Sequence, residues 1–166
     1  NKKSYIYFRI PSWDKNIQIF INGKKIKYKI YNGYAKINNF WKKGDEIQLF
    51  FNFEPRLIRA NPNVRYNVRK ACLFRGPVLY CLEEKDNGKN LNKIMIDSSN
   101  PITEKKININ FHKIVSLSTK GYVYKDTKKL YLNEKPKFLK KNIKFIPYYK
   151  WSNRGENEML VWINEK

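Results

Sequence analysis

Two Asn-Gly pairs, Asn22-Gly23 and Asn32-Gly33, constrain this chain more than any other feature, because that dipeptide favours the two-residue, positive-φ turn that reverses one strand into the next. Around the first lie Ile17–Ile21 and Lys24–Ile30, whose apolar residues recur at every second position. The second leads into Tyr34–Ile37, then through Trp41 and the Lys43-Gly44-Asp45 turn into Glu46–Phe53. There Ile47, Leu49, Phe51 and Phe53 share one face of a strand and are expected to meet a core. Ser4–Ile10, stopped by Pro11, has the same period, and no stretch of a dozen residues sustains a helical apolar face with a cap at each end. The chain reads as all-β with little helix.

Further along, Glu54-Pro55 is expected to end a strand, Asn61-Pro62 marks a corner, and Val64–Phe74 and Val78–Glu83 form a hairpin around Arg75-Gly76-Pro77. The stretch Asp86–Pro101 is rich in Asn, Ser, Gly and Asp, broken only by the apolar Leu91–Ile96, and is the expected boundary. Weaker strands are expected near Lys105–Ile109, Lys113–Ser118, Gly121–Tyr124 and Leu130–Leu132, and strong ones at Phe138–Trp151 and Glu156–Ile163. Short strands at regular spacing with Gly, Asn and Pro corners predict one or two antiparallel, jelly-roll-like β-sandwich units, divided as residues 1–86 and 87–166. The chain opens on Asn1 with strand-like sequence by Ser4, so we expect a fragment whose first sandwich lacks N-terminal strands, leaving an unpaired edge.

A formal charge of +21 points towards nucleic acid or another polyanion. Of the 35 basic residues only seven are arginine, and the lysines are scattered through strands and turns alike. Lysine, asparagine and isoleucine are in excess together, as an AT-rich coding sequence would produce. Nonspecific polyanion binding at low salt is expected, without a specific nucleic-acid partner. No apolar run approaches a membrane span, no targeting signal or Asn-x-Ser/Thr acceptor is visible, and a bacterial, cytoplasmic setting is favoured. Cys72 and Cys81 flank the Gly76-Pro77 turn at positions that antiparallel pairing would set opposite each other, and we expect them as free, buried thiols.

Metal and nucleophile chemistry lacks its parts, since His112 is the sole histidine and the two cysteines have no ligand spacing. Glycosidases otherwise need two carboxyl groups, ~5–5.5 Å apart for retention and ~6.5–9.5 Å for inversion. Glu83-Glu84 on a strand would point to opposite faces, whereas Glu156 and Glu158 share one, with Cα atoms roughly 7 Å apart. Beside Arg154 in so basic a chain, those two are expected as solvated charge partners. Trp13, Tyr148, Tyr149 and Trp151 are candidates for stacking on sugar rings, or for burial in a core or domain interface. Arg75 and Arg154, each at a turn glycine, are candidates for bidentate pairing with Asp or Glu or with a carbonyl of a neighbouring domain. Asn153 completes the corner before Gly155.

Four segments carry a resemblance: Arg9-Ile10-Pro11-Ser12-Trp13; Trp41-Lys42-Lys43-Gly44-Asp45; Arg75-Gly76-Pro77-Val78-Leu79-Tyr80-Cys81-Leu82-Glu83; and the run from Phe145-Ile146-Pro147-Tyr148-Tyr149 through Trp151-Ser152-Asn153-Arg154-Gly155 to Trp162-Ile163. In that order they resemble the C-terminal part of glycoside hydrolase family 127, the β-L-arabinofuranosidase-like enzymes. The resemblance departs at Lys150 and Ser152, where the family's motif commonly has small residues. It implies a β-sandwich portion that braces a preceding helical (α/α) barrel, which carries the catalysis through a zinc-bound cysteine nucleophile. Cys72 and Cys81 do not match that cysteine, so no cofactor is expected in this chain, which is expected to be non-catalytic by itself. The implied partner is the helical catalytic domain of a parent enzyme acting on plant glycans, with homodimer and glycan contacts left open. Two other readings stand beside it: a carbohydrate-binding module using Trp13, Tyr148, Tyr149 and Trp151, and a basic nucleic-acid-binding β domain.

Overall fold

A computed structural model describes residues 2–14 and 16–166. The chain divides into two compact units, 1–54 and 55–166, so the boundary falls between Glu54 and Pro55 and not within residues 86–101. That polar stretch lies inside the second unit because its apolar residues are core and its polar ones have partners. Leu91, Ile94 and Ile96 are almost wholly buried, and the Asn87 amide donates to the carbonyls of Glu83 (3.1 Å) and Lys144 (2.8 Å).

The first unit is a small sandwich of two three-stranded antiparallel sheets. One orders β1 (Lys2–Arg9), β5 (Tyr34–Trp41) and β4 (Lys29–Tyr31); the other orders β3 (Lys24–Ile26), β2 (Gln18–Ile21) and β6 (Ile47–Phe50). Asn22-Gly23 and Asn32-Gly33 make the expected two-residue reversals, with φ of 48° and 74° at the first and 48° and 79° at the second. The single strand expected over Lys24–Ile30 is instead two, β3 and β4, which pair in different sheets. Between them the Tyr28 hydroxyl donates to the Ile17 carbonyl (2.6 Å), tying the crossing segment down. Ile17, Ile19, Ala35 and Ile37 form the core, with Leu49 and Phe51 packed against it as the period of two requires. Phe53 is 41% exposed and does not continue that row.

The second unit comprises β7 (Pro55–Arg59), β8 (Lys70–Arg75), β9 (Val78–Glu83), a helical turn α1 (Glu84–Asn87), β10 (Ile94–Ile96), β11 (Thr103–Ile109), β12 (His112–Tyr124), β13 (Phe138–Pro147), β14 (Met159–Leu160) and β15 (Ile163–Glu165). Pro55 opens a strand instead of ending one, a position where its missing N–H is tolerated. The two strands expected at Lys113–Ser118 and Gly121–Tyr124 are one, while Leu130 and Tyr131 are more than nine-tenths exposed and lie in no strand. Strand pairing runs β9–β13–β12–β10–β15–β8 and returns to β9, closing a ring of six. One pair, β10 with β15, is parallel, a departure from the purely antiparallel expectation. Every strand of the ring contributes to one enclosed cluster, among them Leu73, Leu82, Ile96, Leu117, Phe145 and Ile163. Because side chains alternate, Cys81 and Ile146 point out of the ring and join a second cluster with Ile109 and Ile114 of the β11–β12 hairpin. Cys72 and Cys81 are free and buried.

Candidate functional site

The outward side of β9 and β13 in the second unit gathers most of the residues singled out above. Glu83 is the last residue of β9 and has the parity of Cys81, so its carboxylate points outward; yet it is 1% exposed, because the turn after β13 folds over it. Its Oε1 accepts the Ser152 backbone N–H (3.0 Å) and its Oε2 accepts Arg154 Nε (3.1 Å) and Nη2. Arg154 reaches Asp86 with the same guanidinium, and Lys144 Nζ lies 2.7 Å from Asp86 Oδ1. One arginine thus bridges two carboxylates, the forked geometry that favours guanidinium over ammonium. Its hydrogen bonds to Asp86 and Glu83 hold the Arg154 proton more tightly than usual. Burial drives the Asp86 carboxyl upwards, but donation from Arg154 and Lys144 outweighs it and leaves its pKa below the ordinary range.

Arg154 therefore pairs with Glu83 and Asp86, not with Glu156 and Glu158. Those two precede β14 instead of lying on a strand, so they are not a facing pair. Glu158 is structural: its carboxylate accepts the Leu91 N–H (3.0 Å), its own N–H donates to Glu84 (3.2 Å), and its carbonyl accepts the Glu84 N–H (2.9 Å). Arg75 pairs with Glu104, Nε to Oε1 at 2.8 Å, and this bond raises its pKa. Both arginines thus find acids within the second unit.

Held by this network, the turn Tyr148–Lys150 and the following Trp151 project as a ledge. Tyr148, Tyr149 and Trp151 are 43%, 61% and 40% exposed, and the Tyr148 and Trp151 rings lie near-parallel at 24° with centroids 6.4 Å apart. Asn153 is exposed and anchored, its carbonyl accepting the Asn110 amide. Tyr149 and Arg75 come together on one groove of about 400 Å³ floored by Val78, Tyr80 and Pro147. Burial pushes the Tyr80 phenol up to about 12, and its hydroxyl donates to the Val115 carbonyl (2.9 Å). Trp13 belongs to the first unit, half-buried between Phe51 (5.6 Å) and Phe53 (5.3 Å). Glu83, Asp86 and Lys144 were not singled out from sequence as a network; the signal available was an acid closing the apolar run Val78–Leu82.

For metal chemistry the residues present do not fit. Among the described residues no group of three or more His, Cys, Asp or Glu could hold an ion. Burial raises the pKa of both thiols, to about 12 at Cys81, which opposes the thiolate a zinc ligand requires.

Two successive all-β units, the second a closed sheet with an acid-bridging arginine beneath an aromatic ledge, define a β-structured module. Residues 1–53 match the Beta-L-arabinofuranosidase, GH127 middle domain, and residues 55–164 match the Glycoside hydrolase family 127 C-terminal domain, the same division that the fold makes. The chain belongs to glycoside hydrolase family 127. It is 25% identical over 165 residues to the Non-reducing end beta-L-arabinofuranosidase of Bifidobacterium longum subsp. longum, covering 93% of this chain and 25% of the relative. The crystal structure of Ara127N-Se, a GH127 beta-L-arabinofuranosidase from Geobacillus stearothermophilus T6, superposes with a TM-score of 0.94 at 36% identity over 99% of this chain and 27% of that one. The GH127 beta-arabinofuranosidase BT3674 does so with a TM-score of 0.87 at 26% identity, over 99% and 28%. The chain spans about a quarter of the length of each.

Proposed function

We propose that this chain is the non-catalytic β portion of a β-L-arabinofuranosidase-like glycoside hydrolase, and that the ledge of Tyr148, Tyr149 and Trp151 docks on a helical catalytic domain. The observation that carries the reading is the pair of adjoining matches to the family's middle and C-terminal domains, which together span nearly the whole chain. The state of the acids supports it. Glu83 and Asp86, the carboxylates beneath the family motif, are held by Arg154 and Lys144. Asp86 so paired is a poor general acid, since Arg154 and Lys144 hold its carboxyl below the ordinary carboxylate range. Three exposed aromatic rings on a rigid turn suit an interdomain anchor, which gains most from large side chains with little rotamer freedom to lose. The metal chemistry of the family is assigned to the helical part.

The test mixes this chain with the separately produced remainder of the Geobacillus relative and follows co-elution and hydrolysis of an aryl β-L-arabinofuranoside. The chain alone is expected to give no turnover, and Tyr148→Ala/Trp151→Ala to abolish co-elution while the fold is retained. Turnover by the chain alone, or co-elution indifferent to the ledge, overturns the reading. The near-parallel exposed rings of Tyr148 and Trp151 also favour a second reading, a sugar-stacking ledge, which titration with neutral arabinan fragments distinguishes.

A further inference from the structure

The first unit turns an unusual face outward. On the sheet β4–β5–β1 the residues opposite the core side are aromatic or cationic, apart from Asn38. Tyr5, Tyr7, Tyr31, Tyr34 and Phe40 are 52%, 50%, 68%, 42% and 58% exposed, whereas Ala35 and Ile37 on the other side of β5 are buried. Tyr5 and Tyr7 lie side by side with centroids 6.4 Å apart. Tyr7 pairs across to Lys36, Arg9 to Tyr34 and Lys3 to Phe40, so the cations are interleaved with the rings in register. Lys36 Nζ sits 4.0 Å from the Tyr5 ring centre and 5.7 Å from that of Tyr7, and Lys3 Nζ 5.5 Å from that of Phe40. None of the three strands contains an acidic residue, although ion pairs occur repeatedly in the second unit. From Lys3 to Arg9 the platform runs about 20 Å at strand rise.

We propose that this face binds an acidic polysaccharide, a chain of uronate-bearing sugars. Flat rings lying on a sheet offer apolar contact to the C–H faces of successive sugars, and the interleaved cations supply charge complementarity to a carboxylate on each. Ammonium groups already parked over the rings need only swing aside to meet those carboxylates. Four of the five aromatics are tyrosines, whose hydroxyls exchange hydrogen bonds with a polyhydroxylated partner, and this favours a sugar chain over a single-stranded nucleic acid. The proposal stands on the first unit alone, so its failure leaves the docking role of the Tyr148–Trp151 ledge untouched.

Affinity electrophoresis of this chain at near-physiological salt tests it, with polygalacturonate in the gel and neutral debranched arabinan in a parallel one. Polygalacturonate is expected to retard the chain and neutral arabinan to leave it unaffected. Tyr5→Ala/Tyr7→Ala, which keeps the charge, is expected to weaken retardation about tenfold, while Lys140→Gln/Lys141→Gln in the second unit, which removes two charges, changes it little. Circular dichroism checks the fold; should the double alanine variant not fold, Lys36→Gln replaces it and is expected to weaken retardation more than Lys140→Gln. Equal retardation of the parent and the tyrosine variant would reduce the effect to net charge and overturn the proposal. So would retardation by neutral arabinan, or tighter binding of oligodeoxythymidylate with the same tyrosine dependence, which would assign the face to nucleic acid.

Discussion

Arg154 and Glu83, 71 positions apart in sequence, close on each other as guanidinium and carboxylate, with the glutamate side chain wholly buried and the arginine 23% exposed. The pair joins the end of β9 to the turn that carries the aromatic ledge. Without it a carboxylate would sit under that turn with only a backbone N–H and an amide for company.

Removing one partner of such a pair leaves an uncompensated buried charge, which costs about 3–5 kcal/mol. Arg154→Ala is therefore expected to lower the stability of the second unit by about 3 kcal/mol or more in urea unfolding. Arg154→Lys should recover only part of this, because one ammonium cannot span Glu83 and Asp86 as the fork does. A loss below about 1 kcal/mol, the worth of an exposed ion pair, would show that the network is solvent-screened.

Acid should find the same place. The Asp86 carboxyl has a folded-state pKa below its unfolded value, so its contribution to stability is present above the ordinary carboxylate range, about 3.9, and is lost as pH falls through the folded value. Unfolding of the second unit is expected to become easier as pH is lowered beneath about 4, and Asp86→Asn to flatten that limb. A pH–stability profile below 5 for the parent and the variant decides it, and superimposable slopes would remove Asp86 from the account.

Turn chemistry and strand period were legible in the residues themselves. Asn22-Gly23 and Asn32-Gly33 reverse the chain where they stand, and the alternation of Ile47, Leu49 and Phe51 marks the face that is buried. Three features were not legible. The break between β3 and β4 depends on which sheet each half finds, a tertiary choice on which local alternation is silent. The polar stretch 86–101 resembles a linker until Asn87 is seen bonding β9 to β13 across 57 positions. The acid partners of Arg154 are likewise distant in sequence, so residue type identified the arginine as bidentate while only the fold could supply Glu83 and Asp86.

Cys72 and Cys81 offer a probe of the closed ring. Burial raises both thiol pKa values, to about 12 at Cys81, and thiolate is the reactive form. Neither is expected to react with iodoacetamide at pH 8 in the native protein, and both are expected to react in denaturant, read by intact mass. Labelling of Cys81 under native conditions would mean that the outer cluster over β9 opens.

Gly121 makes the most stringent test of the ring. It lies on β12 opposite Ile96 of β10 and Lys141 of β13, where a Cβ would stand 2.4 Å from the Met95 carbonyl oxygen and 2.5 Å from Ile143 Cδ1. Contacts that short force something to move. The isoleucine tip can turn, but the carbonyl belongs to the backbone of the neighbouring strand, so Gly121→Ala must push β10 away from β12. Overpacking of this kind costs about 1–3 kcal/mol, and β10 is also the strand that makes the parallel pair with β15 and so completes the ring. Gly121→Ala is expected to destabilise the second unit within that range and to speed amide exchange along Ile94–Ile96. Adding Ile143→Val relieves the side-chain clash but not the one with the carbonyl, so it should restore only part of the loss. Full restoration would show that β10 has room to spare, and unchanged exchange in β10 would show that the strain is released elsewhere.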